Sequence, residues 1–412
     1  MIDRSRYKQK KMKCIFFLFS ALSMFSFSLQ AQEAFEKKLQ TDMILAENGS
    51  TIQIEEGSFS LSKSISLDGK KNITIRGKGM DRTILSFDKQ LSGAEGIKIT
   101  NCENIILEDL TVQDSKGDLI KAMHVKGITF RRVKAEWTGT PSKKNGGYGL
   151  YPVQCENVLI DSCVAIGASD AGIYVGQSKY IVVKNSIASH NVAGIEIENS
   201  LYADVHNNTA TNNTGGILVF DLPDLVVKKG GYTRVHDNKI IENNYSNFAP
   251  KGNIVAKVPR GTGILILATS NVDVFNNEII NNKTMGVGII SYFMTEIKIK
   301  DSNYNPFPTA INIHENTFER KRRRAPMQGR IGLMYRFKLK FGRNLPHIVY
   351  DGLANPFMRS KDGSLTGANR ICIRNNKNQT FANIDVEHMF KNISTDISKH
   401  DCELSSFKTS NK

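Results

Sequence analysis

The chain has 412 residues, of which 40% are hydrophobic and 23% charged, so it carries enough apolar material for a large core and is not of the disordered class. The formal net charge is +15, but residues 1–31 hold six Lys/Arg and one Asp, which leaves +10 for the rest. Beyond residue 31 there are five cysteines and no CxxC or CxxCH pair, which argues against a redox motif and against covalent haem.

The N-terminus has the pattern of a secretory signal. Arg4, Arg6, Lys8, Lys10, Lys11 and Lys13 form a basic region, residues 14–29 form an apolar run too short for a membrane span, and Ala31 offers a cleavage point before Gln32. Residues 1–31 are therefore expected to be a signal peptide, with the mature protein secreted or periplasmic and without a transmembrane segment. Cys14 opens the apolar run rather than ending it, which argues against a lipoprotein.

Residues 34–46 have the pattern of a short amphipathic helix. Four alternating triplets follow, Ile52-Gln53-Ile54, Ile65-Ser66-Leu67, Ile73-Thr74-Ile75 and Ile84-Leu85-Ser86, with Gly57, Gly69, Gly77 and Gly79 between them. Period two places one face inward and one outward, so these are short strands separated by tight corners. Further along, Gly followed by Leu or Ile recurs at Gly149, Gly172, Gly194, Gly216, Gly263 and Gly288, at intervals of 23, 22, 22, 47 and 25. The long interval contains a hydrophilic stretch, 243–260, and reads as one coil carrying an insertion. Each repeat holds three short β-branched runs separated by Asn, Gly and Ser, residues that tolerate left-handed corners. Asn208, Asn238, Asn277 and Asn316 each follow a β-branched residue by three and are expected to stack as a ladder.

Leucine-rich repeats lack their consensus here, propeller blades have longer periods, and helical repeats need a 3.6-residue period. The repeat thus predicts an all-β chain, a single-stranded right-handed parallel β-helix, with the N-terminal helix as a cap over the open strand edge. The expected organisation is a signal at 1–31, the solenoid at 32–320, a basic insertion or loop at 321–345, and a terminal coil and tail at 346–412. The basic run Arg320 to Arg343 has ten Lys/Arg and no acid, and is expected to be a mobile loop with a hairpin, the alternative being a segment that binds a polyanion. Cys372 and Cys402 flank the terminal segment and are the expected disulfide.

The stretches Glu56-Gly57-Ser58-Phe59, Asn72 to Gly77 and Thr83-Ile84-Leu85, with the coils from Gly96 to Ser291, resemble the pectin-lyase-like superfamily. That group includes the carbohydrate-binding and sugar-hydrolase repeats, mannuronan C5-epimerases and NosD-type maturation proteins. The resemblance is specific for architecture and weak for chemistry, because one fold hosts many functions. Tyr148-Gly149-Leu150-Tyr151-Pro152-Val153-Gln154 is similar to the epimerase motif Tyr-Gly-Phe-Asp-Pro-His-Asp, with Tyr151, Val153 and Gln154 replacing its first Asp, its His and its final Asp.

In such proteins polysaccharide lies along an exposed sheet. By alternation the outward residues of the Gly-Leu/Ile strands are Tyr151, Tyr174, Glu196, Leu218 and Leu265, spaced ~4.8 Å per coil. Tyr148, Lys121 and Glu196 are the catalytic candidates, with a lysine (Lys121, Lys143 or Lys144) expected to lower the Tyr148 pKa. Tyr151, Gln154, Tyr174, Glu198 and Asp221 are the ligand-binding candidates, and Tyr174 is expected to stand as an exposed platform. Paired carboxylates for hydrolysis could come from Asp170, Glu196, Glu198 and Asp221. His206, His236 and His314 share a register and read as turn histidines; no metal and no cofactor is expected. The expected partner is a polysaccharide, possibly a polyuronate. Nucleic acid is not expected, the oligomeric state is open, and the alternatives are a non-catalytic periplasmic accessory protein or a structural surface protein.

Overall fold

The computed structural model describes residues 32–327, 329–360 and 365–409. The proposed signal, 1–31, lies outside them. Among the described residues the strands form two parallel arrays, one of 19 strands and one of 11. Each coil contributes one strand to the 11-stranded sheet and two to the other, as in Ala171–Gly176, Lys179–Lys184 and Ile187–Ser189. Every strand pairs with its counterpart one coil away, in parallel. This is a parallel β-helix.

The interior follows from the alternation. Leu150, Ile173, Ile195, Ile217, Ile264 and Val287 stack on one another and are fully buried. Corners fall on Asn185, Asn207 and Asn276, all with φ near +55°, a conformation that Asn tolerates better than most side chains. The expected asparagine ladder is present. Backbone N–H and side-chain Nδ2 of Asn208 both donate to Asn238 Oδ1 at 3.0 Å, and the pattern repeats through Asn277 and Asn316 to Asn376. A second ladder, not anticipated, runs through Asn191, Asn213, Asn243 and Asn282.

A helix over residues 32–45 covers the first coil. Leu39 and Met43 enter the core, and Phe35 stacks on Phe59 with ring centroids 3.7 Å apart. Gln40 hydrogen-bonds both backbone groups of Ser66, and Glu36 accepts from Ser62 N–H, so the helix satisfies the otherwise open strand edge. At the other end Cys372 and Cys402 form a disulfide, and Cys102, Cys155 and Cys163 are buried free thiols.

Several expectations need correction. Gly215–Phe220 pairs directly with Thr262–Leu267, so the long interval is one coil, but it carries two excursions, 221–230 and 242–261. The last repeat is shifted by two: Ile264 faces Val287, so Gly286 rather than Gly288 is the counterpart of Gly263. Among the described residues the basic run contains no hairpin. It forms a helix, Gly329–Phe337, whose Tyr335 is buried together with Leu339 and Leu345. The three histidines are not free turn residues: His206, His236, Phe275 and His314 form a stacked ring ladder with centroids 4.6–5.2 Å apart. Among the described residues no helix is long and apolar enough to cross a membrane.

Candidate functional site

The outward column of the 11-stranded sheet is continuous. Ser66, Lys98, Lys121 and Tyr151 follow one another in register, and Tyr174, Glu196, Leu218 and Leu265 extend the line. Its two halves differ. Lys98, Lys121 and Tyr151 are partly exposed, whereas Tyr174 is 4% exposed, Glu196 1% and Leu218 0%. The alternation is as expected; the exposure of Tyr174 and Glu196 is not. Segments 222–230, 243–260 and 291–308 fold back over this face, and Val255, Val258, Phe248, Ile254, Tyr292 and Tyr304 pack on it as a roof. Hydrophobic outward positions such as Leu218 and Leu265 are the sequence signal for a covered face.

Where the roof begins, three tyrosines meet. Tyr148 lies 4.4 Å, centroid to centroid, from both Tyr151 and Tyr174, which are 5.1 Å apart in an edge arrangement. Lys121 Nζ sits 5.0 Å from the Tyr151 ring centre and 3.7 Å from Glu95. The Tyr174 ring lies over Gly176, where a Cβ would collide with it, and its hydroxyl donates to Glu198 Oε1 at 2.6 Å. Asn253 from the roof donates to Asp170 Oδ2 at 2.8 Å, and Asp118 Oδ1 accepts from Tyr148 N–H at 3.1 Å. Gly147 stands between Asp118 and Asp170, and a Cβ there would touch both.

Burial dominates the electrostatics. Desolvation pushes the carboxyls of Asp170, Glu198 and Asp221 up to about 7 and that of Asp118 to about 6, with Lys121 opposing the rise at Asp118. Glu196 is held well above the usual carboxylate value by burial and by Asp170 and Glu198, and its Oε2 is buried without a hydrogen-bond partner. The expected lowering of Tyr148 is reversed: burial, and then the charges of Asp170, Glu196 and Glu198, hold it well above the usual phenol value. Tyr151 is pushed up to about 12. Lys143 and Lys144 are exposed on the loop before Tyr148. Gln154 lies at the corner, 2.6 Å from His124 Nε2, and Asp221 accepts from Gly230 N–H at 3.2 Å, its charge adding to the rise at Glu198. The structure thus brings together Lys121, Tyr148, Tyr151, Tyr174 and Glu198. It adds Asp118, Asp170 and Asn253, with Glu196 fully buried next to Tyr174 in the strand register. Asp118 went unnoticed because its coil, Ile120–Met123, lacks the Gly-Leu/Ile mark used to find the others. No group of three or more His, Cys, Asp or Glu among the described residues is arranged to hold a metal ion.

Residues 136–318 match a family model described as the right handed beta helix region. The chain is a right-handed parallel β-helix of pectin-lyase-like fold. Among solved structures, the A-module of the Azotobacter vinelandii mannuronan C-5 epimerase AlgE4 is similar over 83% of this β-helix and 90% of its own length, at 16% identity and a TM-score of 0.55. Pectate lyase Pel9A is similar over 68% of this chain and 70% of its own, at 13% identity and a TM-score of 0.41. An alginate lyase from Paenibacillus covers 69% and 95%, at 13% identity and a TM-score of 0.41. No curated protein matches the β-helix sequence.

Proposed function

We propose that this β-helix is an exported enzyme acting on an acidic polysaccharide, with a uronate chain lying along the open half of the 11-stranded sheet. The observation that carries the reading is the meeting of Lys98, Lys121 and Tyr151 on an accessible face with protonated Tyr148 and the carboxyl of Asp118. Cations at Lys98 and Lys121 suit the carboxylates of the polymer, and Tyr151 offers an aromatic edge to sugar C–H surface. The epimerase module of the same fold is named for a polyuronate substrate, which supports the class of ligand.

The chemistry that fits is proton abstraction beside the uronate carboxyl. Lys121 neutralises that carboxylate, which acidifies C5–H. Asp118, ionised at neutral pH with a value of about 6, takes the proton. Tyr148 keeps its own proton and gives it up either to the departing C4 oxygen, which completes elimination, or to the opposite face of C5, which completes epimerisation. Val153 stands where the epimerase motif has His, so the base role passes to a carboxylate.

Incubation of the mature protein with poly-mannuronate, poly-guluronate and polygalacturonate tests this, with unsaturated product read by absorbance and C5 configuration by proton NMR. Turnover of at least one polymer is expected. Asp118→Asn should lower kcat about 10²-fold or more, the usual range for a general base, and Lys121→Ala should mainly raise KM. Absence of both binding and turnover with all three polymers overturns the reading. The roofed half of the sheet favours a second reading, a non-catalytic accessory protein, which binding without turnover would select.

A further inference from the structure

Five guanidinium groups of the segment between Arg320 and Arg343 gather on one face. Arg322, Arg323, Arg324, Arg336 and Arg343 line one surface hollow. No carboxylate is within ion-pair distance of any of the five among the described residues, and Arg322 is held by Asn344 Oδ1 at 2.8 Å. The field extends to Lys283, whose pKa is lowered by burial and then by the charges of Arg323 and Arg260.

The hollow rests on an anchored base. Arg320 points away from it and donates to the backbone carbonyls of Leu345, Asn282 and Thr284. Tyr335, 2% exposed, fixes the helix Gly329–Phe337 in a small core with Leu339 and Leu345. Gly332 lets that helix meet the preceding segment, since a Cβ there would collide with the Pro326 carbonyl. This approach sets Arg322, Arg323 and Arg324 beside Arg336.

We propose that this hollow is a binding site for a compact, multiply charged phosphoryl group, separate from the polysaccharide face. Like charges held together without counter-charge repel one another, and a bound polyanion removes that repulsion. The residue type narrows the ligand: guanidinium forks pair in bidentate fashion with phosphate oxygens. A uronate chain carries one charge per sugar ring along a line, a poor match for five guanidinium groups around one hollow. The phosphoryl group could come from a soluble diphosphate or from a lipid headgroup, and the same chemistry recognises both.

Isothermal titration of the mature protein with inorganic pyrophosphate tests the site, alongside flotation with vesicles of phosphatidylcholine alone and of phosphatidylcholine with phosphatidic acid. Saturable pyrophosphate binding is expected, weakened at least tenfold in R323Q/R324Q and less than threefold in K338Q/K340Q, which removes the same charge nearby outside the hollow. Circular dichroism checks that both variants fold. Pyrophosphate-sensitive flotation with phosphatidic acid would assign the lipid source, and pyrophosphate binding without flotation the soluble one. Equal loss in the two double variants, or no saturable pyrophosphate binding, overturns the proposal. So does polyuronate binding that depends on Arg323 and Arg324 in the absence of any phosphate response.

Discussion

At the residue scale, Tyr174 shows how a correct strand register can accompany a wrong environment. Its neighbours Ile173 and Val175 point inward and Tyr174 outward, yet outward here means under a roof. Tyr174→Ala would therefore remove a buried ring and strand Glu198. A loss of about 3–5 kcal/mol is expected, the range for large-to-small changes at buried aromatics, and chemical denaturation of wild type and variant measures it. Tyr174→Phe keeps the ring and loses only the bond to Glu198 Oε1, a change of about 1 kcal/mol. Equal losses for the two variants would mean that the hydroxyl, rather than the ring, holds this junction together.

At the scale of elements, the two asparagine ladders tie coil to coil. Each Asn accepts from the preceding rung and donates back to a backbone carbonyl, as Asn277 does to Val235 at 2.8 Å. These amides are almost fully buried, so removing one leaves polar groups on both sides without partners. Asn277→Ala should lower stability by about 1–3 kcal/mol, the cost of unsatisfied buried groups. Hydrogen exchange should show the loosening at the Asn238 and Asn316 corners first. The first ladder was legible because its Asn residues follow the β-branched strand ends at a constant offset. The second was hidden because Asn191 and Asn213 follow Ala188 and Ala210 at that offset, not a β-branched residue.

At the scale of the whole molecule, buried carboxyls make stability depend on pH. Asp170, Glu198 and Asp221 sit near 7 in the fold, while in an unfolded chain they titrate near 4. Between those values the folded chain binds more protons than the unfolded one. Their contribution is therefore fully present below about pH 4 and is lost as pH rises through about 7. His347, lowered to about 4 by burial, acts in the opposite sense at acid pH. Thermal melts at pH 6 and pH 8 should show a lower Tm at pH 8, and Asp170→Asn should narrow the gap. An unchanged gap would place the titrating groups elsewhere.

The sequence alone determined the coil. Period-two alternation, a 22–23-residue repeat and corner asparagines leave one way to bury the β-branched faces, because short strands of this kind are stable only when stacked on their neighbours. The Cys372–Cys402 pair and the capping helix were also legible, since both lie at ends that a solenoid must close. What tertiary structure decided was the outer surface. Segments 222–230, 243–260 and 291–308 carry no alternation of their own, and only their packing showed which outward residues they cover. The same packing buries Tyr174 and Glu196 of the expected open row and leaves Tyr151 partly exposed where the roof begins. There, desolvation by distant segments, rather than any local motif, sets the proton affinities of Tyr148, Asp170 and Glu198.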